Sequence, residues 1–137
     1  MKTHSIKSWG ARSVSYWLTF LVAAGIIFIG IRFLVAPTVA AEGYGIPLNN
    51  DTSASYAFAK GIRDVYSGTI LLVFLALRKA RVSAILFSIA TVIPATDFFI
   101  VLSRNGLGDI THLMIHGCTA IYMIIVSYLL FKEKSSD

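Results

Sequence analysis

Residues 56–77, YAFAKGIRDVYSGTILLVFLAL, decide the fold of this chain. A run of this length can cross a bilayer, because about 20 residues rising ~1.5 Å each span a hydrocarbon core of ~30 Å. Lys60, Arg63 and Asp64 nevertheless place three charged side chains near its start. Charged side chains at membrane depth are costly and face the interior of a helix bundle, where they find partners. The stretch therefore predicts a membrane helix that belongs to a bundle with a polar interior.

The composition of the whole chain agrees with a membrane protein. Its 137 residues are 56% hydrophobic and only 14% charged, with a mean hydropathy of +0.74. A soluble domain carries charged residues at about 25%. The length accommodates one domain, residues 1–137. The single cysteine, Cys118, leaves no internal disulfide for the fold to depend on.

Three more apolar runs lie outward from the first. The predicted spans are residues 14–36, 56–77, 82–102 and 110–131. A cleaved signal peptide is the alternative for residues 14–36, since residues 39–41 are small and apolar. However, this run is longer than the 7–15 residues of a signal core and contains Arg32, so a retained span is preferred. Residues 38–55, rich in Gly, Pro, Asn, Thr and Ser, are predicted to form a loop.

Short connections between four spans predict an all-α fold, a polytopic integral membrane antiparallel four-helix bundle. Eight Lys and Arg residues lie in the N-terminal segment, the second connection and the tail, against Arg104 alone in the first and third connections. This asymmetry predicts a cell-membrane protein with both termini in the cytoplasm. The net charge of +5 is then explained by topology and requires no nucleic-acid partner.

Counting residues along each span predicts that its ionisable groups share one depth, in the outer half of the bilayer. This polar layer contains Arg32, Lys60, Arg63, Asp64, Asp97, His112 and His116. Pro94 is expected to free the carbonyl of Ala90 and to mark a kink or an opened cavity, because proline has no N–H to donate. The layer predicts an outward-facing polar pocket, capped by the loop at residues 38–55.

Two further expectations concern small and aromatic residues. Small residues allow helix backbones to approach closely in membranes, and the positions expected to do so are Ala24, Gly25, Gly61, Gly68 and Gly117. Tyr44 and Tyr56 are expected in the outer aromatic belt, where amphipathic rings sit at the level of the headgroups.

The pattern of these residues resembles domain-of-unknown-function family 4267, a group of small four-span membrane proteins. The resemblance covers nearly the whole chain and is carried by Arg32, Pro37, Gly45-Ile46-Pro47, Lys60-Gly61-Ile62-Arg63-Asp64, Gly68, Pro94, Asp97 and His116. It implies the fold and no established activity. The pattern is also similar to the DoxX-like group, and that analogy implies a quinone-linked redox partnership, although the sequence contains no redox motif.

One functional interpretation of the polar pocket is acid/base chemistry on a lipophilic small molecule with an anionic or carbonyl group. Asp97 or Asp64 beside His116 would form the acid/base pair, with the carboxylate orienting the imidazole. The cations Arg32, Lys60 and Arg63 would hold the anionic or oxyanion-bearing part of the substrate. Isomerisation or another proton transfer fits such a site.

The alternatives need no chemistry. The protein could be a non-catalytic lipid-binding or partner-subunit membrane protein whose buried charge network is structural. Three cations against two carboxylates in the layer favour an external anion, although Lys60 could also extend to the interface. The expected partners are membrane lipids and a lipophilic small molecule, and the sequence leaves the oligomeric state open.

Neither a metal nor a cofactor is predicted. His112 and His116 have the i, i+4 spacing of two metal ligands, with Asp97 as a third candidate. However, Leu113 follows His112 where a metalloprotease motif has Glu. Whether the protein is an enzyme remains open between these interpretations.

Overall fold

The structure is a computed structural model that describes residues 9–49 and 51–133. All regular structure in these residues is helical. The helices are α1 (Val14–Val35), α2 (Pro37–Tyr44), α3 (Asp51–Ala76), α4 (Ala80–Ala90), α5 (Val92–Asn105) and α6 (Ile110–Lys132), with a 3₁₀ turn at Gly106–Gly108 between the last two.

Three helical segments are long and apolar enough to cross a membrane. They are α1, the segment Ala80–Gly108 that contains α4 and α5, and α6. Helix α3 has 26 residues and is ~39 Å long at 1.5 Å per residue, but it carries Lys60, Arg63 and Asp64 and is not among the three. The chain is therefore an all-helical membrane protein.

The prediction of a loop at residues 38–55 holds for residues 45–49 and is wrong for the helical residues on either side of them. Helix α2 occupies Pro37–Tyr44, and α3 already begins at Asp51. Pro37 ends α1 but also begins α2, because the first helical position needs no N–H and proline's fixed φ suits it. Ala40, Ala41 and Glu42 then continue α2 as strong helix formers.

The expected break near Pro94 is confirmed. Helix α4 ends at Ala90 and α5 begins at Val92, with Thr91 between them. The nitrogen of Pro94 carries no hydrogen, so the carbonyl of Ala90 loses its usual i+4 partner. Ala90, Val92 and Pro94, around this break, line a cavity between the helices.

Helices α1 and α3 pack with their backbones in contact. A Cβ atom on Gly30 would lie 2.7 Å from the carbonyl oxygen of Gly61, and one on Gly68 would lie 2.7 Å from that of Ala23. The predicted close approach at Gly61 and Gly68 is thus confirmed. The prediction for Gly25 is wrong, because nothing lies within 4 Å of a Cβ there. Gly30, one turn and a half further along α1, takes that place.

Helix α6 packs against α4 and α5, and it completes the core with α1 and α3. This core contains Ala23, Leu71, Phe87, Val126 and Leu130. At one end of the molecule Ser13 and Ser15, at the start of α1, donate hydrogen bonds to Glu133 after α6. The described ends of the chain therefore lie side by side. Three basic residues used for the predicted orientation lie outside the described residues: Lys2, Lys7 and Lys134.

Candidate functional site

The site is built around the C-terminal end of α2. Gly45 ends this helix in the left-handed region, at φ 98°, which glycine adopts without a steric penalty. The last carbonyls of a helix have no partner within it. Here His116 Nε2 lies 3.0 Å from the carbonyl oxygen of Tyr44, and Asn105 Nδ2 donates to that of Gly45 at 2.7 Å. Side chains from α5 and α6 thus hold the end of α2 in place.

Tyr44 joins three elements at this point. Its hydroxyl donates to Asp97 Oδ1 at 2.7 Å, and its ring meets the His116 ring edge-on at 4.9 Å between centroids. Burial, and then the hydrogen bond to the Asp97 carboxylate, raise the pKa of Tyr44. The phenol therefore keeps its proton and acts as a donor. The prediction for Tyr44 was a place in the outer aromatic belt, and it did not include these contacts with Asp97 and His116.

The contacts of His116 assign its tautomer. A carbonyl oxygen only accepts, so Nε2 carries the hydrogen that is donated to Tyr44. In the neutral ring Nδ1 is then the acceptor, and it lies 4.0 Å from Asp97 Oδ2. That separation is beyond hydrogen-bond distance. Both atoms accept hydrogen bonds, so the gap between this pair is open to a ligand group that donates a hydrogen.

Lys60 and Asp64 form the α3 side of the site. Lys60 Nζ lies 2.7 Å from Asp64 Oδ2, one helical turn away. The same ammonium lies 5.0 Å from the centroid of the Phe33 ring and 5.4 Å from that of Tyr44. Aromatic faces attract cations at these distances. The carboxylate and the two rings together stabilise a partly buried cation.

These groups close one end of a cavity between the helices, here called the inner cavity. Its volume is about 390 Å³, and its ionisable lining residues are Tyr44, Lys60, Asp64, Asp97 and His116. Most of the remaining wall is apolar and comes from α1, α3, α4, α5 and α6. It includes Val22, Ile26, Ile70, Leu71, Leu86, Ala90, Ile93 and Met123.

A second opening, here called the surface cleft, lies on the other side of Tyr44 and Lys60. It has a volume of about 680 Å³. Its lining includes both of these residues together with Arg63, Arg104 and Asn105. Because Tyr44 and Lys60 line both spaces, they form the partition between the inner cavity and the surface cleft.

The model of the family described as "Domain of unknown function (DUF4267)" matches residues 23–130 of the chain. The chain belongs to the DUF4267 family. The match contains every charged residue of both spaces. No curated protein and no solved structure matches the chain. The predicted relation to the DoxX-like group stays a prediction.

Within this DUF4267 chain, the structure brings together four of the six predicted site residues. Asp64, Asp97, His116 and Lys60 line the inner cavity. Arg63 lines the surface cleft instead, where it is exposed.

Arg32 lies apart from these residues. Its guanidinium lies beside Gly43 of α2: a Cβ atom on Gly43 would be 3.9 Å from the terminal nitrogens of Arg32. Arg32 lines neither the inner cavity nor the surface cleft. The predicted layer contained three cations and two carboxylates, but the three cations do not lie in one space. The inner cavity is lined by one Lys and two Asp, and the arginines lie elsewhere.

His112 has its own partner outside the inner cavity. Its Nδ1 lies 2.7 Å from Asp109 Oδ1, and its ring packs where a side chain at Gly45 would clash. Hydrogen bonds from Asn105 and then from His112 lower the pKa of Asp109. In the described part of the chain no three His, Cys, Asp or Glu residues are grouped to hold a metal ion.

Sequence reasoning missed Tyr44 and Arg104 as site residues. The available signal for Tyr44 was Pro37 followed by Ala40, Ala41 and Gly45, which is the pattern of a short helix with a glycine cap. That pattern predicts a short helix whose last residue is Tyr44. No signal indicated that Arg104, at the end of α5, lies beside Arg63 in one cleft.

Proposed function

We propose that this DUF4267 protein binds a lipophilic small molecule carrying a carbonyl or anionic group, with its apolar part in the inner cavity. The observation that carries the proposal is the convergence of Lys60, Asp64, Asp97 and His116, from three helices, on one end of a cavity of about 390 Å³ whose other walls are mostly apolar. Mostly apolar cavities with a few convergent polar groups are typical of small-molecule sites.

The chemistry of the polar end supports a ligand that carries an oxygen atom. The Lys60 ammonium has three N–H donors and uses one on Asp64. The ammonium also contacts the ring faces of Phe33 and Tyr44. An oxygen acceptor attracts an N–H donor more strongly than these rings do and would replace those contacts. A carbonyl or carboxylate oxygen beside Lys60 would thus gain a charge-assisted hydrogen bond.

The same proposal includes the arrangement in the membrane. We propose an antiparallel four-helix bundle in the cell membrane, in which α3 is the fourth crossing and both termini are cytoplasmic. The length of α3 supports this, as does the contact of Ser13 and Ser15 with Glu133 at one end of the molecule. The polar end of the inner cavity then lies in the outer leaflet, where the ligand enters.

Binding is tested by filling the inner cavity. Ala90 lines it, so Ala90→Leu removes space for the ligand. Ala76→Leu, at the exposed end of α3, is the matched control. Native mass spectrometry of protein extracted with its own lipids is expected to detect a bound small molecule in the wild type and in Ala76→Leu, and to show its loss in Ala90→Leu. Wild-type protein without any such molecule would contradict the proposal and favour a structural charge network.

Proton transfer on the bound molecule is the second candidate, and the open pair of Asp97 and His116 favours it. Asp97, with His116 beside it, would take a proton from a carbon next to a carbonyl and return it to another carbon. Lys60 would stabilise the enolate oxygen meanwhile. Such an isomerisation moves one proton and one double bond and requires no oxidant or reductant.

This candidate is tested with a lipophilic β,γ-unsaturated cyclic ketone, whose conjugated product absorbs in the ultraviolet. Asp97→Asn is expected to lower the rate by about 100-fold or more, the usual contribution of a general base. His112→Gln, a histidine outside the inner cavity, is expected to leave the rate unchanged. A wild-type rate equal to that of empty membranes would rule out this reaction and leave ligand binding without chemistry.

A further inference from the structure

The surface cleft is cationic. Lys60, Arg63 and Arg104 line it, and its described lining contains no Asp or Glu. These cations come from two different helices, α3 and α5. Lys60 is already paired with Asp64 at 2.7 Å, so the uncompensated positive charge of the cleft is that of Arg63 and Arg104. An anion between these two guanidinium groups would relieve their mutual repulsion, so the cleft favours an anionic occupant.

The two arginines retain most of their hydrogen-bonding capacity. Arg63 uses Nε on the carbonyl of Ala59, at 3.2 Å, within its own helix. Its terminal amino groups, and the whole guanidinium of Arg104, have no hydrogen bond or ion pair with residues 9–49 or 53–133. Guanidinium groups bind carboxylates and phosphates through paired N–H donors. The cleft thus has the donors that such an anion requires.

The position of the surface cleft relates it to the inner cavity. Tyr44 and Lys60 line both spaces, so the two spaces are adjacent. One extended molecule would occupy both by displacing the Lys60 ammonium from the Tyr44 ring. The inner cavity has mostly apolar walls, whereas the cleft has three cations. The two spaces together match an amphiphile rather than a uniformly apolar molecule.

We infer that the surface cleft binds the carboxylate or phosphate group of an amphiphile, through Arg63 and Arg104, while the apolar part of the same molecule occupies the inner cavity. This inference rests on the proposed function and narrows its ligand to an anionic amphiphile. Arg104, which no pattern in the sequence singled out, becomes a ligand-binding residue.

The experiment uses the whole chain in nanodiscs of phosphatidylcholine and a dodecanoate analogue with a photoreactive diazirine in its tail. Dodecanoate, dodecyl phosphate and dodecanol compete with the probe, and crosslinked peptides are quantified by mass spectrometry. In the wild type both anions are expected to compete at about tenfold lower concentration than dodecanol, the effect of one charge-assisted contact. The two anions distinguish a carboxylate site from a phosphate site.

Arg63→Gln/Arg104→Gln is expected to remove this tenfold preference and to leave competition by dodecanol unchanged. The matched control is Arg12→Gln/Arg81→Gln, which removes the same charge from exposed positions that line neither space. It is expected to keep the preference. Arg63→Lys/Arg104→Lys should keep it in part, because the charge remains while the paired donors are lost.

The contrary outcomes separate the two proposals. Equal competition by anions and dodecanol in the wild type would overturn the inference, and would leave the inner cavity as the binding site for the tail. An equal loss of preference in the Arg12 and Arg81 control would also overturn it, since general surface charge would then be the cause. Crosslinking that no compound displaces, and that Ala90→Leu does not reduce, would overturn the proposed function as well.

Discussion

Tyr44 is the residue on which the candidate site depends. Its hydroxyl, ring and carbonyl contact Asp97, Lys60 and His116 respectively, each from a different helix. The pKa of Tyr44 is raised by burial and by Asp97, so the hydroxyl remains a donor through the ordinary pH range. One residue thus contacts a carboxylate, an ammonium and an imidazole.

The substitution Tyr44→Phe keeps the ring and removes the hydroxyl. It is expected to lower the free energy of unfolding by about 1–2 kcal/mol, because the Asp97 carboxylate loses a donor in a partly buried position. Tyr66→Phe, at a side chain that is 67% exposed, is the control and should change stability by less than about 0.5 kcal/mol. Thermal unfolding in detergent measures both. Equal effects would show that the hydrogen bond contributes nothing.

Counting residues along the spans predicted the neighbours Asp97 and His116 but not their partner. Both lie in apolar runs where a charge must find a partner, so their depth alone indicates a shared layer. Tyr44 lies in a polar segment, where a tyrosine at the membrane interface is equally consistent with its surroundings. Only the folding of α2 brings the Tyr44 hydroxyl within hydrogen-bond distance of Asp97.

At the scale of the element, the contact between α1 and α3 explains where Lys60 and Asp64 face. Gly30 and Gly61 meet backbone to backbone, and this contact sets the rotation of α3 about its axis. Lys60, one residue before Gly61, is then directed at Phe33 and Tyr44. A glycine pair between two helices therefore determines which side chains enter the inner cavity.

Gly30→Ala tests this contact. Its new methyl group would lie 2.7 Å from the Gly61 carbonyl oxygen, which forces the helices apart and should lower the free energy of unfolding by about 1–3 kcal/mol. Gly25→Ala, in the same helix, has nothing within 4 Å. It should raise stability by up to about 1 kcal/mol through helix propensity. Thermal unfolding of the two variants is the measurement, and the same sign for both would contradict the packing.

Asp109 caps the first turn of α6, which carries His112 and His116. Hydrogen bonds from Asn105 and His112 lower its pKa from 3.8. A lowered pKa means that the ionised carboxylate stabilises the fold at pH values above 3.8, and that this contribution is lost as the pH falls through the lowered pKa.

The variant Asp109→Asn retains an oxygen acceptor for the helix end but does not titrate. Its unfolding temperature should therefore vary less than that of the wild type between pH values above and below 3.8. Asp109→Ala should be less stable than Asp109→Asn throughout this range, because the acceptor is missing. A pH series of thermal unfolding curves measures the difference, and identical pH dependence in the wild type and Asp109→Asn would count against this assignment.

At the scale of the whole molecule, the proposed four crossings predict the sides on which the connections lie. In a Cys118→Ser background, Asn49→Cys precedes α3 and Arg81→Cys follows it, and both positions are exposed. A membrane-impermeant maleimide added to intact cells should label Asn49→Cys and reach Arg81→Cys only after lysis. Labelling of both from the same side would show that α3 does not cross and would overturn the four-helix topology.

The sequence by itself determined the helical class, three apolar spans and their ends to within a few residues, and the break near Pro94. These properties are local, since run length, hydropathy and a missing N–H act within one segment. Only the tertiary structure decided which side chains of the polar layer meet. Rotation of a helix about its axis depends on distant contacts, such as Gly30 against Gly61. For that reason Asp97 and His116 line the inner cavity, whereas Arg63 and Arg104 line the surface cleft. Arg32 lines neither space and lies beside Gly43 of α2.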